Sequence, residues 1–493
     1  MTAPNRIEDE QFRTPLFDAM VNLAESRKVS FHTPGHKSGK GISTRFRKFV
    51  GPRIFSIDLT TLDEVDSLQN PTGVIKEAQE LAAKAAGADR SYFLVNGTTV
   101  GNHAMVASTT GPGDKVLIAR NCHRSVLTGL IMSGAQPIFF QPSFDRDLKL
   151  TLNVKFETAK QAIDANPGAR ALLITSPNYY GLCADIENII PYAREKGLLV
   201  FVDEAHGPHL KFNPKLPKCA LEVGADLCVQ STHKIVGGMT QASMLHAKAE
   251  RINIDDVTNT LKLLQTTSPS YILMASLDLA RMQMATEGKK LLNRTIKLAE
   301  DARASIDKIP GITCFGKDRA RQAGMADMDV TKLTITVSDM GLSGYHVSQM
   351  LNTRFGIQVE MADPFHVLVI VSIGDRQDDL NRLVEALRVI SAETGLQGAL
   401  LPLDRVHPPV LNNKFAMTPR DAFYSDSELV SVNDSAGRVS TEIVTVYPPG
   451  IPLLVPGEVI SQDAIDYLQN MAGLGAIIDG MNENNTLVRV AKG

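Results

Sequence analysis

Several features that would each define a class of protein are missing from this chain. Its 493 residues contain no uninterrupted apolar run of about eighteen side chains, the length a bilayer-spanning helix needs. Neither sign of charge dominates: 51 basic and 54 acidic side chains leave a formal charge of -3. A nucleic-acid or anionic-membrane partner usually demands a basic excess or stripe, so neither is expected. The five cysteines (Cys122, Cys183, Cys219, Cys228 and Cys314) are odd in number, scattered and never spaced C-x-x-C. A disulfide framework and a zinc cluster are both disfavoured, and a reducing compartment fits better. The first twenty residues, MTAPNRIEDEQFRTPLFDAM, carry no apolar stretch of signal-peptide length. The expectation is a soluble cytoplasmic protein.

What is present is ordinary globular composition, 43 % apolar and 21 % charged, in enough chain for two or three folding units. Between residues 90 and 235, short apolar runs recur: Ser91 to Val95, Val116 to Ala119, Pro137 to Phe140, Ala171 to Thr175, Leu198 to Val202 and Leu227 to Gln230. Their spacing is roughly that of a strand plus a crossover helix. Runs this short and apolar predict strands buried on both faces of a mostly parallel sheet. Such sheets bind ligands at the carboxyl ends of their strands. A long helix is predicted from Leu277 to about Ile309. It leads into a second α/β unit with strands at Lys332 to Val337, Gln358 to Glu360 and Val367 to Ser372, and helices at Tyr345 to Arg354 and Asp378 to Ile390. Beyond about Gly395 the texture turns to proline-rich loops. The reading is an N-terminal arm (1–30), a large α/β domain (31–280), a small α/β domain (281–395) and a C-terminal lobe (396–493).

The residues after each run hold the candidate chemistry. SYFLV is followed by Asn96-Gly97-Thr98-Thr99, a strand-to-helix turn that suits an anion, or simply an N-cap. KVLIA is followed by Asn121-Cys122-His123, where the histidine can stack, bond or cap. GLLVFV is followed by Asp203-Glu204-Ala205-His206. That D-E-A-H resembles the magnesium site of helicase-type ATPases, but the required loop G-x-x-x-x-G-K-[ST] is absent: Pro34 stands where its first glycine should be and Gly41 follows Lys40. A G-x-G-x-x-G fingerprint is also missing. DLCVQ is followed by Ser231-Thr232-His233-Lys234. A lysine at the end of a buried strand can become a nucleophilic amine. An anion cradle, an acid and then a lysine, in that order on one sheet, is what pyridoxal 5'-phosphate chemistry needs.

The chain resembles the ornithine/lysine/arginine decarboxylases of the aminotransferase-like, pyridoxal phosphate fold. The resemblance is carried by FHTPGHKSGKG (31–41), FLVNGTTVGN (93–102), NCHRSV (121–126), TSPNYYG (175–181), DEAHG (203–207), QSTHK (230–234), TTSPSY (266–271) and GRVSTEIVTVYPPGIPLLVPGE (437–458). It implies an α/β fold with a large mostly parallel-sheet domain and a smaller α+β C-terminal half. It implies that Lys234 is the Schiff-base lysine, that Asp203 pairs with the pyridine nitrogen, and that His123 and Ala205 flank the ring. His206 would support the ring substituents, with Thr98, Thr99, Ser231 and His233 around the phosphate and Glu442 near the substrate's distal cation. It also implies a homodimer or small homo-oligomer with the site at the interface, where TTSPSY reaches the partner's phosphate. No metal is expected.

The implied reaction is decarboxylation of a basic L-amino acid, arginine before lysine and ornithine last, giving agmatine or cadaverine for polyamine metabolism. The alternatives are another reaction on the same cofactor (transamination, aldol cleavage or deamination) and a non-catalytic regulatory homologue. Transamination would call on an arginine such as Arg354 or Arg376 to grip the carboxylate. The chain departs from the family at Thr61 and Gln69, where an acid and a histidine are usual, and at Gly237-Gly238, where bulkier residues are common. These departures bear on the substrate. The wing domain that longer members carry before PGHK is expected to be missing, so large assemblies are not expected.

Overall fold

The computed structural model describes residues 10–26, 28–394, 407–409, 414–447 and 450–492. The boundary expected near residue 395 and the two prolines of VYPPG lie outside them.

Seven strands form the central sheet: β1 (Arg90–Leu94), β2 (Lys115–Ala119), β3 (Gln136–Phe140), β4 (Ala171–Thr175), β5 (Leu199–Asp203), β6 (Leu227–Gln230) and β7 (Ser243–Ala247). Their order is β1-β7-β6-β5-β4-β2-β3. β2, β3, β4, β5 and β6 run parallel, and β7 is antiparallel to both of its neighbours. β4, β5 and β6 are buried at every position because both faces are covered, and they are apolar but for Thr175, Asp203 and Gln230 at their carboxyl ends. Leu172, Ile174, Val200 and Val202 face one core with Ile189 and Ile190. Leu173, Phe201 and Val229 face the other, with Val100 and Ala104 of helix α1 (Gly97–Ala107).

All six strands read from the sequence are present, and β7 is added to them. Its sequence, SMLHA, breaks the apolar pattern, yet all five residues are buried. Of the two polar side chains, His246 is accommodated by bonding, its Nδ1 2.7 Å from Ser91 Oγ of the neighbouring strand, while Ser243 Oγ is buried with no hydrogen-bond partner among the described residues.

Helix α2 (Arg124–Ser133) follows β2, and the short helix α3 (Thr232–Ile235) follows β6. The long helix α4 runs Tyr271–Ile306, starting six residues before its predicted onset because Ser270 caps it, accepting the Leu273 amide at 3.4 Å. The next unit is a four-stranded antiparallel sheet of Thr313–Cys314, Lys332–Thr336, His366–Ile370 and Met361–Ala362. Its helices are Gly344–Phe355 and Gln377–Thr394. The strand expected at Gln358 to Glu360 does not form there. Both named residues are exposed, and pairing begins only at Met361.

The proline-rich end is more regular than its composition suggests. Ser427–Ser431 pairs with Leu487–Ala491, and Val444–Tyr447 lies between Ile451–Leu454 and Ile477–Asp479. Helix Gln462–Gly473 closes a separate apolar core around Val444, Leu454, Ile465, Leu468 and Val488. This end is tied to the large sheet by Arg120, buried beside β2. Its Nη2 donates to Leu453 O at 2.7 Å and to Glu458 at 2.8 Å, and its guanidinium lies 4.3 Å from the Phe139 ring centroid.

Helix α1 lies hard against the sheet at Gly101, where an added Cβ would stand 2.5 Å from Val229 and 2.9 Å from Leu94. Overpacking at such a point costs about 1–3 kcal/mol. Gly101→Val is expected to lower unfolding stability by about that amount in denaturant titration; an unchanged midpoint would show that the helix can lift freely.

Candidate active site

The strand ends meet at one edge of the sheet. Asp203 closes β5, and its Oδ2 accepts from Asn102 Nδ2 at 2.8 Å while Oδ1 accepts the Ala205 amide at 3.1 Å. Asn102 donates equally to Ser125 Oγ at 2.8 Å, and Ser125 Oγ lies 2.8 Å from His123 Nδ1. His123 is the N-cap of α2, accepting the Ser125 amide at 3.2 Å. One buried network therefore fixes the carboxylate and the imidazole together. Burial lowers the His123 pKa, as do the charges of Lys234 and Arg124, while Asp203 opposes them.

Lys234 lies in α3, one turn past β6, rather than on the strand itself. Its Nζ is 2.8 Å from His206 Nε2 and 5.8 Å from the centroid of the Tyr179 ring. Burial holds its pKa below the ordinary lysine range, against the pull of Asp203 and Glu360. His206 is pushed well down by burial and then by the charges of Lys234 and Lys332. Its ring is neutral at physiological pH.

Across the sheet edge, Thr98 Oγ1 and Ser231 Oγ lie 3.2 Å apart. They bring together the start of α1 and the residue before α3. Asn96 lends α1 no side-chain cap, and an added Cβ on Gly97, at φ +68, would meet nothing within 4 Å. Backbone donors and two hydroxyls thus face open space at a helix N-terminus, a cradle suited to a phosphate dianion. Thr99 follows on the same turn and is half-buried; His233 bonds Ala242 O at 3.0 Å. Ala205 is buried beside Asp203. The donor set fits a phosphorylated pyridine aldehyde: hydroxyls and amides for the phosphate, a carboxylate for the ring nitrogen, and an amine for the carbonyl carbon.

Two expected residues are engaged by partners outside this network. Glu442 is engaged by Arg489 Nε at 2.9 Å and is over a third exposed. Arg354 pairs with Glu393 on the surface. Gly238 is tightly held: an added Cβ would sit 3.1 Å from the His233 amide nitrogen, so it permits close backbone approach. Gln69 donates to Gln265 O and Thr266 O, bracing the base of the TTSPSY segment. Among the described residues, no group of three or more His, Cys, Asp or Glu could hold a metal, and the five cysteines are buried and free.

Sequence reasoning assigned no role to Asn102, Tyr179, Lys332 or Glu360. Asn102 had a signal, since it lies four residues after Thr98 on one helix face. Tyr179 stands in TSPNYYG, whose loop returns to the site after β4. Lys332 and Glu360 come from the small domain, which no spacing in the large domain announces.

Strand order, lysine and acid together define an aminotransferase-like α/β enzyme fold. Its structural neighbours agree. The lysine decarboxylase of Francisella novicida superposes with TM-score 0.84 at 22 % identity, covering 98 % of this chain and 82 % of that one. The alanine–glyoxylate aminotransferase of Nostoc gives 0.54 at 18 %, covering 66 % and 88 %. Residues 14–379 match the Orn/Lys/Arg decarboxylase major domain and residues 408–485 the C-terminal domain. The arginine decarboxylase of Bacillus subtilis is 41 % identical over 98 % of both chains. The inducible lysine decarboxylase of Escherichia coli is 27 % identical over 96 % of this chain and 79 % of its own. The chain belongs to the Orn/Lys/Arg decarboxylase family, and it is a decarboxylase.

Behind the site, burial lowers the His246 pKa from 6.5 to about 4. The folded state then binds this proton less readily than the unfolded chain, so stability falls as pH drops from about 6.5 towards 4. At most about 3 kcal/mol is at stake. His246→Gln is expected to flatten part of that acid slope in thermal unfolding, and identical slopes would remove His246 from the account.

Proposed function

We propose that this chain is an arginine decarboxylase that holds pyridoxal 5'-phosphate through Lys234 and works in the cytoplasm as a homodimer. The observation that carries the reading is the joint fixing of a carboxylate (Asp203), a buried amine (Lys234) and a hydroxyl-lined helix start (Thr98, Ser231) at one sheet edge. Arginine is favoured because the relative named arginine decarboxylase is far more similar than the one named lysine decarboxylase, 41 % against 27 %.

When bound, the cofactor supplies an electron sink for the pair released as carbon dioxide leaves. The chain's own groups do the rest. Asp203, oriented by Asn102 and the Ala205 amide, holds a proton at the ring nitrogen, because a buried carboxylate favours the charged ring. His123, neutral and fixed by Ser125, offers a flat face to stack upon, and the small Ala205 leaves room opposite. Thr98, Thr99, Ser231 and His233 hold the phosphate. Lys234 is the amine that would hold the cofactor through its carbonyl carbon. Glu442 would take the guanidinium by exchanging Arg489 for it. Glu360, whose charge acts on Lys234, Lys332 and His233, is a second acid within electrostatic reach.

A partner subunit is supported by the N-terminal stretch. Val29, Phe31, Phe46 and Phe49 are all exposed there, with Phe31 92 % and Phe49 89 % accessible. Apolar surface gathered in this way marks an association site. Among the described residues, no helix is long and apolar enough to cross a membrane.

The direct test supplies the purified protein and cofactor with arginine, lysine and ornithine separately and identifies each product by mass. Agmatine with stoichiometric carbon dioxide is expected, and Lys234→Ala should lower the rate by about a thousandfold or more. A keto-acid product, or cadaverine as the major one, would overturn the assignment. Light scattering should give twice the chain mass, and Phe31→Ser with Phe49→Ser should shift it towards one.

A further inference from the structure

The small domain delivers a lysine into the site from outside the large domain's own constellation. Lys332 opens the strand Lys332–Thr336 and is fully buried. Its Nζ lies 3.2 Å from His206 Nδ1, while the opposite nitrogen of the same ring lies 2.8 Å from Lys234 Nζ. Gly181, at φ +83, clears the way: an added Cβ there would stand 2.9 Å from Lys332 Cγ and 2.8 Å from Asp329 O.

Hydrogen counting constrains this row of three groups. A neutral imidazole has one N–H and one lone pair, whereas an ammonium can only donate. Two ammonium groups facing one neutral ring would set a donor against its N–H. One amine must therefore accept.

We propose that Lys332 is a positioning residue that shares a single proton with Lys234 through His206. In one arrangement the Lys234 ammonium donates to Nε2, and Nδ1–H donates to a neutral Lys332. In the other, the Lys332 ammonium donates to Nδ1, and Nε2–H donates to a neutral Lys234. The two differ by moving one proton onto the ring and one off it, with no change in net charge. Lys234 thereby becomes a free amine without releasing a proton to water.

The charged surroundings suit both arrangements. Lys332 is lowered to about 8 by burial, against the pull of Asp329 and Glu360, with Lys234 lowering it further. Burial raises Asp329, but His209 overcomes this, followed by Lys332 and Thr331, leaving it at about 2. His209 Nε2 stands 3.2 Å from Asp329 Oδ2, and both side chains are fully buried. Asp203 and Glu360 face Lys234, and His123 and the Tyr179 ring complete the surroundings.

The inference rests on Lys234 being the cofactor-binding amine, and its test separates the two claims. Cofactor-free protein is mixed with pyridoxal 5'-phosphate across a pH series, the imine is trapped with borohydride, and label on the Lys234 peptide is quantified by mass. No label on Lys234 in the wild type would sink the functional reading itself. With label present, Lys332→Met should raise the pH midpoint of capture by about one unit, slowing it about tenfold below that midpoint. Lys332→Arg, always charged, should leave the midpoint at or below the wild-type value.

Side-chain loss acting only through packing would move both variants the same way or neither, and either result overturns the shared proton. Should the Arg variant fail to fold, the Met variant decides alone; should the Met variant fail, the next measurement decides. In the unaltered protein, the 15N signal of His206 should report a neutral ring from about pH 6 to about pH 9. An imidazolium signal in that range would equally overturn it.

Discussion

An amine taken out of water loses several kcal/mol of solvation unless charge or hydrogen bonds replace it, and Lys234 sits under that constraint. It is held beside a neutral imidazole, not against a carboxylate. A direct ion pair would have stabilised the ammonium and spoiled it as a nucleophile. The acid that the site does contain, Asp203, is held by Asn102 and a backbone amide, one strand away from the lysine. Charge is thus kept near the amine but not on it. That separation explains why the sheet is built from strands buried on both faces: only a covered edge can exclude water from groups so placed.

The same edge shows how much of the molecule was legible in the sequence. β1 to β6 announced themselves because a strand covered on both sides is mostly apolar, and short apolar runs recurring at the spacing of a strand plus a crossover helix read as a parallel sheet. β7 escaped because Ser243 and His246 are polar, and only their burial shows that they belong. Asp203 and Lys234 were readable because an acid and a lysine directly after successive buried strands are costly to leave without partners, and His206 was supplied by the family resemblance. The C-terminal sheet was hidden by its prolines and short strands. Glu360 was misread as part of a strand, since alternation over three residues carries too little information to separate a strand from an exposed turn.

Lys332 illustrates a different limit. Its neighbours in sequence, Thr331 and Leu333, belong to the small domain's own core, and nothing local distinguishes it from a lysine on a strand edge. Its significance arises only when that strand is laid across the loop ending at Gly181. Site and domain packing are therefore not independent: a shift of the small domain would carry one end of the Lys234–His206–Lys332 row with it. Family resemblance supplied the groups proposed to hold the cofactor, and tertiary structure supplied Lys332 behind them.

The seam made by Arg120 and Glu458 has a consequence during synthesis. The two residues are 338 positions apart, and ribosomes add roughly 5–20 residues each second. The large domain's edge thus waits roughly 20 to 70 seconds, with a guanidinium destined for burial still lacking its carboxylate. Until the last lobe emerges and docks, that cation favours keeping the rim near β2 hydrated.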